Sequence, residues 1–398
     1  MTKIPFTKYS SCGNNFVVVD MTETAWLSEA AMSEFAYQAT NMSFGVGCDN
    51  LLVLQKATSQ TLADINDYRR YWRLPPDLSN ETYIFRMFEP DGQEALCCGN
   101  GLMCIAQYLY QQYGLSQVPI ITEVPFLTPK LISIGTQSDT AHSWAEMGFP
   151  RKLPPVLVTP GFTQNEVSVI ESFRVSELDV NGCSLLGENA TLSFVCYLSF
   201  TGEPHLVIFP DVCFEDPAIA SAIFKNNTRI GDLENDPGSQ LVHAIGHAIN
   251  RAYHSFFPYG ISVNFTRIKS QKIIENRCFE RGIYRETLAC GTGAMAAAFT
   301  VQQLFSPEEK VITVLPHRCR WHDDEAVIKV QELESGWRIQ SNPILLFEGV
   351  YHMKRSLMRQ ADKQHVANKE ASTLAVTKKL AQGHAKSLAK AGTQCLLA

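Results

Sequence analysis

Two cysteines in this chain carry the same short phrase. Cys98-Gly-Asn-Gly101 and Cys290-Gly-Thr-Gly293 each lead into an apolar run that predicts a helix start. A cysteine at a helix N-terminus faces unpaired backbone N–H groups and the positive end of the helix dipole. Its thiolate is stabilised, and its pKa is expected to fall below the free value of about 8.5. The glycines that follow let the backbone approach a ligand carboxylate, which the same N–H groups can bind. The phrases lie 290 − 98 = 192 residues apart, so they predict two half-molecules that bring a thiol to each face of one small anion. A thiolate on one face and a thiol on the other can take a proton from a carbon and return one on the opposite side.

The elements that must hold these cysteines are partly visible. Residues 6–20 and 50–55 predict strands, with apolar runs Phe16-Val-Val-Val19 and Leu51-Leu-Val-Leu54. A helix is expected over 24–40, ending near Asn41. After Cys98, Leu102, Ile105, Ala106 and Leu109 fall at helical spacing, and Gly114 supplies a stop. The second helix, over 294–304, is apolar nearly all round, which predicts burial on every side. Each half is thus expected to wrap strands about a central helix that carries its cysteine. The polar stretch 55–83 reads as a surface insertion, with a substrate lid as the alternative.

The chain has 398 residues, more than one core usually fills, so two domains are the default. We expect a first domain of residues 1–146 rejoined by a last strand within 342–353, a second domain of 147–341, and a tail from 354 to 398. The net charge is −6, but nine basic and two acidic residues from Lys354 onward give the tail +7 and leave −6 − 7 = −13 for the remainder. An acidic body argues against nucleic acid as the ligand. The tail reads as a solvated or frayed helix, with a partner-binding helix as the alternative. No apolar run approaches a membrane span and no secretory leader is apparent, so no membrane association and a cytoplasmic location are expected. Twelve cysteines scattered through a long chain read as mostly reduced core residues. Cys97, Cys98 and Cys104 lack the CxxC pairing or nearby histidine of a zinc set, so no metal is expected.

Further phrases widen the pattern. Phe6-Thr-Lys-Tyr-Ser-Ser-Cys-Gly-Asn-Asn-Phe16, Phe44-Gly-Val-Gly-Cys-Asp49, Phe88-Glu-Pro-Asp-Gly92, Gly202-Glu-Pro-His205 and Glu280-Arg-Gly282 resemble, in order, the characteristic blocks of the diaminopimelate epimerase family, over roughly residues 3–353. The resemblance implies an α/β (α+β) fold of two pseudo-symmetric domains, each a β-sheet or barrel wrapped round a central helix, with the site in the cleft between them. It also implies inversion of an amino-acid α-carbon without pyridoxal phosphate, one cysteine acting as base and the other as acid. By position it selects Cys98 over Cys97 and pairs it with Cys290. It places His205 and Glu280 near the reacting centre and Arg281 on a substrate's distal carboxylate. Asn14 and Asn100 match active-site asparagines, and Gly99, Gly291 and Thr292 match residues that offer N–H groups to the α-carboxylate. A small amino acid is then the ligand, no cofactor is required, and a homodimer is the assembly left open.

The departures from the family pattern cluster. Glu89 and Glu203 stand where the family has Asn, Ser262 stands at another position commonly Asn, and Asn50 replaces a frequent Gln. Two carboxylates there would repel a distal carboxylate unless neutralised, and would attract a cation. The stretch from Arg281 to Cys290 is one residue longer than the family norm, with Tyr284 and Arg285 in place of a tight glycine turn. Diaminopimelate is the expected substrate. The alternatives are racemisation of an amino acid with a cationic or imidazole side chain, and a catalytically silent amino-acid binder.

Overall fold

The computed structural model describes residues 2–76, 82–126, 128–159, 170–180, 183, 185–187, 190–225, 236–305 and 309–353. The basic tail expected from 354 onward lies outside the described residues. No helix among them is long and apolar enough to cross a membrane.

The strands form two ladders with one plan. The first runs Ile344–Met353, Thr2–Ser11, Asn14–Asp20, Asn50–Lys56, Tyr83–Phe88, Gln117–Thr122, Lys130–Thr136, Ser143–Gly148. The second runs Glu171–Asp179, Thr191–Phe200, Pro204–Ile208, Ser262–Ser270, Ile273–Glu280, Val311–Pro316, Ile328–Leu333, Gly336–Ser341. Both ladders pair in the order antiparallel, antiparallel, parallel, antiparallel, parallel, antiparallel, antiparallel. The last strands of the two ladders, Ser143–Gly148 and Gly336–Ser341, pair antiparallel and join them. The strand expected near 344–351 does return to the N-terminal strand.

Side chains alternate between two covered faces, which is why the strands read as unbroken apolar runs. Phe16, Val18, Leu52 and Leu54 point inward at the helices Gly99–Tyr113 and Gly291–Phe305, which share one core. Val17, Val19, Leu51 and Val53 point outward at the helix Glu29–Thr40. In the second ladder Leu206, Ile208, Val263 and Phe265 meet the helix Pro237–Ala252. Residues 291–301 are buried all round, as the composition predicts.

Several expectations shift at their edges. The strand region 6–20 is a hairpin turned by Cys12 (φ 47°) and Gly13 (φ 86°), both in the left-handed region that a two-residue turn requires. The first helix starts at Glu29, not near Thr24, because the Ser28 hydroxyl accepts the Ala31 N–H at 3.3 Å and fixes the cap there. Within 55–83 lies a helix, Ser59–Arg69, capped by Thr58. It packs on the outer face through Leu62 and Ile65, beside Trp72 that follows it.

A repeated device braces each cysteine-bearing segment. Arg86 donates to Glu94 (2.8 and 2.6 Å) and to Glu29 (2.9 Å for Nη2 to Oε2). Arg277 donates to Glu286 (2.5 and 2.8 Å) and to Asp236 (3.2 Å). The two sets occupy equivalent places: Phe88 and Phe279, two residues after each arginine, pair with Glu94 and Glu286. Each glutamate precedes its cysteine by four residues. Both arginine side chains are fully buried. Burial alone would raise the Glu286 carboxyl, but Arg277 and Arg318 outweigh it and hold the group below its ordinary range.

Removing the cation from such a site strands two buried carboxylates. Arg277→Met is expected to cost about 3 kcal/mol, the low end for a broken buried pair, because Arg318 stays 3.0 Å from Asp236. Arg267→Ala, which loses a pair with the half-exposed Asp211, is expected to cost less than about 1 kcal/mol. Urea unfolding of both variants checks the contrast.

Candidate active site

The two central helices meet start to start. A Cβ built on Gly99 would lie 3.2 Å from Gly291 Cα, and one on Gly291 would lie 3.1 Å from the Asn100 nitrogen. Only glycine at both positions permits this approach. The preceding cysteines cap the helices in the same way: Gly101 N–H donates to Cys98 Sγ and Gly293 N–H to Cys290 Sγ, each at 3.3 Å. The first-turn N–H groups of Gly99, Asn100, Gly291 and Thr292 have no partner within their helices, and all four residues line one cavity.

Both cysteines line one cavity of about 540 Å³. Of the residues singled out in the sequence, Asn14, Asn50, Glu89, Cys98, Gly99, Asn100, Glu203, Ser262, Glu280, Arg281, Cys290, Gly291 and Thr292 all face it. His205 does not. It is fully buried behind the wall, with Nδ1 accepting from Asn264 Nδ2 at 2.9 Å and Nε2 3.0 Å from Thr292 Oγ1. With Nδ1 accepting, Nε2 carries the proton and donates to the threonine. Burial, with Arg281 nearby, pushes the imidazole down to about 3, so it is neutral. The Thr292 hydroxyl, having accepted from His205, is left to donate to Cys290 Sγ at 3.4 Å.

The two thiols differ. Cys290 is held below the ordinary thiol value by the Cys278 thiol that donates to it, with burial opposing and Thr292 and the Gly293 N–H adding to the effect. Cys98 is pushed well above it by burial, which outweighs the Gly101 N–H; Glu280 and Cys290 add to the rise. The lowered pKa expected at both helix starts is found at Cys290, where Cys278 is the main cause and the helix-start N–H a lesser one, and is not found at Cys98. A helix dipole supplies roughly 0.3–2 kcal/mol, and drawing a thiolate largely out of water beside a second sulfur opposes and outweighs it. Cys97 also faces the cavity, and burial pushes its thiol up to about 12.

Sequence reasoning did not reach Cys278, Thr287 or Asn264. Cys278 and Glu280 are two apart on one strand and so share a face. That period was the available signal. Thr287 donates to Glu280, whose carboxyl is pushed well above its ordinary range by burial and then by Cys290. The sulfurs of Cys278 and Cys290 and a Glu280 oxygen lie within 4.8 Å of one another, the one group of three such ligands among the described residues. The hydrogen bonds of Asn100 tie the halves together: its Nδ2 donates to Asn14 Oδ1 (2.8 Å) and to the Ala289 carbonyl (3.3 Å). Its Oδ1 is buried without a hydrogen-bond partner.

At the other end of the cavity Arg281 donates to Glu203, Nε to Oε2 at 2.5 Å. Asn50 donates to Glu89 Oε2 at 2.7 Å. Ser262 Oγ accepts the Arg281 N–H at 3.2 Å. No described residue of the 55–83 stretch lines the cavity.

The family model for diaminopimelate epimerase matches residues 6–125. A diaminopimelate epimerase of Methanothrix thermoacetophila is 28% identical over 306 residues, 76% of this chain and 83% of the relative. One of Bacillus pumilus is 27% identical over 351 residues, 84% of this chain and 97% of the relative. Among solved structures, a Bacillus anthracis phenazine biosynthesis protein of the PhzF family has TM-score 0.51 and 13% identity, covering 89% of this chain and all (100%) of that one. A hydroxyproline epimerase of Agrobacterium vitis has TM-score 0.50 and 11% identity, covering 88% and 92%. These two likenesses show a shared fold. The family model and the curated relatives support an isomerase of the diaminopimelate epimerase family.

Proposed function

We propose that the protein inverts the configuration of an amino-acid α-carbon, with Cys290 and Cys98 as the acid/base pair. One observation carries the reading: two cysteines cap two touching helix starts and face a single cavity. The first-turn N–H groups hold the α-carboxylate and favour the negative charge that grows on it as the α-proton leaves. Of the two thiols Cys290 is the easier to ionise and Cys98 the readier to hold its proton, in keeping with their opposite shifts. The enantiomer whose α-hydrogen faces Cys290 is taken first, and Cys98 protonates the far face. The reverse reaction needs the proton moved between the sulfurs. His205 and Asn264 are positioning residues: they turn the Thr292 hydroxyl toward Cys290. Thiols, N–H groups and a carbon acid suffice for this chemistry without pyridoxal phosphate or a metal. We take residues 1–146 with 342–353 as one closing half and 147–341 as the other. All eleven described cysteines are free, which suits a reducing cytoplasm. Diaminopimelate, on which the curated relatives are named, is the first substrate to try.

The test follows α-proton exchange and inversion in deuterated water. Cys98→Ala and Cys290→Ala are each expected to lower full inversion by at least about 10³-fold, the scale of losing a positioned proton-transfer group. Near-normal inversion by either variant refutes the two-thiol reading.

Thr292→Val removes a donor from the Cys290 thiolate. The rising limb of the pH–rate profile, in the direction that uses Cys290 as base, is expected to move to higher pH, because Thr292 lowers the Cys290 pKa. Loss of rate with an unmoved limb would assign the threonine a packing role.

Added zinc is expected to inhibit, because Cys290, Cys278 and Glu280 are close enough to share an ion and a metal-bound sulfur cannot take a proton. A chelator is expected to leave activity unchanged. Activity that falls on chelation and returns with zinc would overturn this assignment.

A further inference from the structure

The cavity has one end that binds an α-amino acid's common atoms and another whose charges are unbalanced. Five carboxylates line it, from Glu89, Asp91, Glu94, Glu203 and Glu280, against the single guanidinium of Arg281, and no lysine or histidine is among the described lining residues. Three of the five are accounted for. Glu94 belongs to the buried Arg86 pair. Glu280 accepts the Thr287 hydroxyl, and burial and the adjacent Cys290 disfavour its charged form. Glu203 takes the Arg281 guanidinium through Nε and Nη2.

That last pair changes what Arg281 can do. A distal carboxylate on the substrate would have to displace Glu203 from the arginine and then lie beside the released carboxylate. The arginine is already matched, so it offers a second anion little. Glu89 is the opposite case. One of its oxygens accepts from Asn50, and among the described residues it has no cation within ion-pair distance. The ideal Cβ of Gly282 would lie 3.9 Å from its Oε1, so the glycine stands beside this oxygen without a side chain to cover it. Burial, and then the neighbouring Glu203, raise its carboxyl to about 7. A buried carboxylate so placed gains most from a cation brought by the ligand.

Resting on the α-carbon reading above, we propose that the substrate is an amino acid whose side chain ends in a single cation, an ammonium, guanidinium or imidazolium, held by Glu89, and that Arg281 serves to fix Glu203 instead of gripping a second carboxylate. The α-carboxylate sits at the two helix starts and the side chain runs toward Glu89. Asp91, at the rim, adds to the attraction. Diaminopimelate carries both an ammonium and a carboxylate at its far end, and the carboxylate meets Glu203 and Glu89.

The full-length protein is incubated in deuterated water with both enantiomers of lysine, ornithine, arginine and histidine, with diaminopimelate and norleucine as comparators, and α-deuteration is followed by mass spectrometry. At least one of the four basic amino acids is expected to show a kcat/KM at least tenfold above both comparators. Glu89→Gln is expected to lower that value at least tenfold, chiefly through KM, while Glu89→Asp retains more of it. Glu203→Gln frees Arg281 and is expected to raise exchange of diaminopimelate. Faster exchange of diaminopimelate or norleucine than of all four basic amino acids overturns the proposal while leaving the two-thiol chemistry standing. So does an unchanged substrate ranking in folded Glu89→Gln. No exchange with any of the six overturns the α-carbon reading and this inference with it.

Discussion

Gly99 and Gly291 touch, and that contact sets the geometry of everything around it. Two helix starts carry like partial charges, so their approach is unfavourable until an anion lies between them. The fold forces the approach through burial: the two helices share one core, so separating their starts would expose Leu102, Ala294 and their neighbours. The result is a place where four unpaired N–H groups already point inward, and an incoming carboxylate relieves a repulsion that folding has built. Little reorganisation is then required as charge develops.

Holding two like-charged ends together demands stiff supports, and the supports are copies of each other. Arg86 with Glu94 and Glu29, and Arg277 with Glu286 and Asp236, tie each cysteine's approach segment to an outer helix. Arg69 and Arg318 add a second guanidinium beside each set. Buried ion pairs of this kind contribute little net stability against apolar replacements. What they supply is register: a fork of donors accepts only one placement of each carboxylate, and Glu94 and Glu286 each stand four residues ahead of a cysteine that caps a central helix. Within this duplicated frame the halves differ where chemistry needs them to. At the place where the first ladder has Phe16 opposite Asn50, the second has His205 opposite Ser262, and with it the hydrogen-bond chain that ends on Cys290.

Much of this was legible in the residue order. The phrases around Cys98 and Cys290 locate both helix starts, and the residues picked out beside them face the same cavity, His205 excepted. The strand runs, the Gly114 stop and the returning C-terminal strand also follow from local pattern. What escaped depends on partners far away along the chain. Arg281 meets Glu203 across 78 residues, and Arg86 meets Glu29 across 57. The unequal thiols have the same origin, since local sequence shows the shared helix start and hides the Cys278 donor and the burial that separate them. The likeness of Arg86-Met-Phe-Glu89 to Arg277-Cys-Phe-Glu280 was visible in the letters, and it extends the duplication well upstream of the cysteines.

Thr2 lies in register with Met353, so the ladder that begins the chain is closed by its last described strand. The other ladder is contiguous, from Glu171 to Ser341. On a ribosome, therefore, the part made first is finished last, and Thr2–Ser11 waits with an open edge while some 350 residues follow it. The Cys98 helix emerges early but cannot meet its counterpart until Gly291–Phe305 has been synthesised and packed. A nascent chain thus carries no cavity lined by both sulfurs until the second central helix has packed against the first.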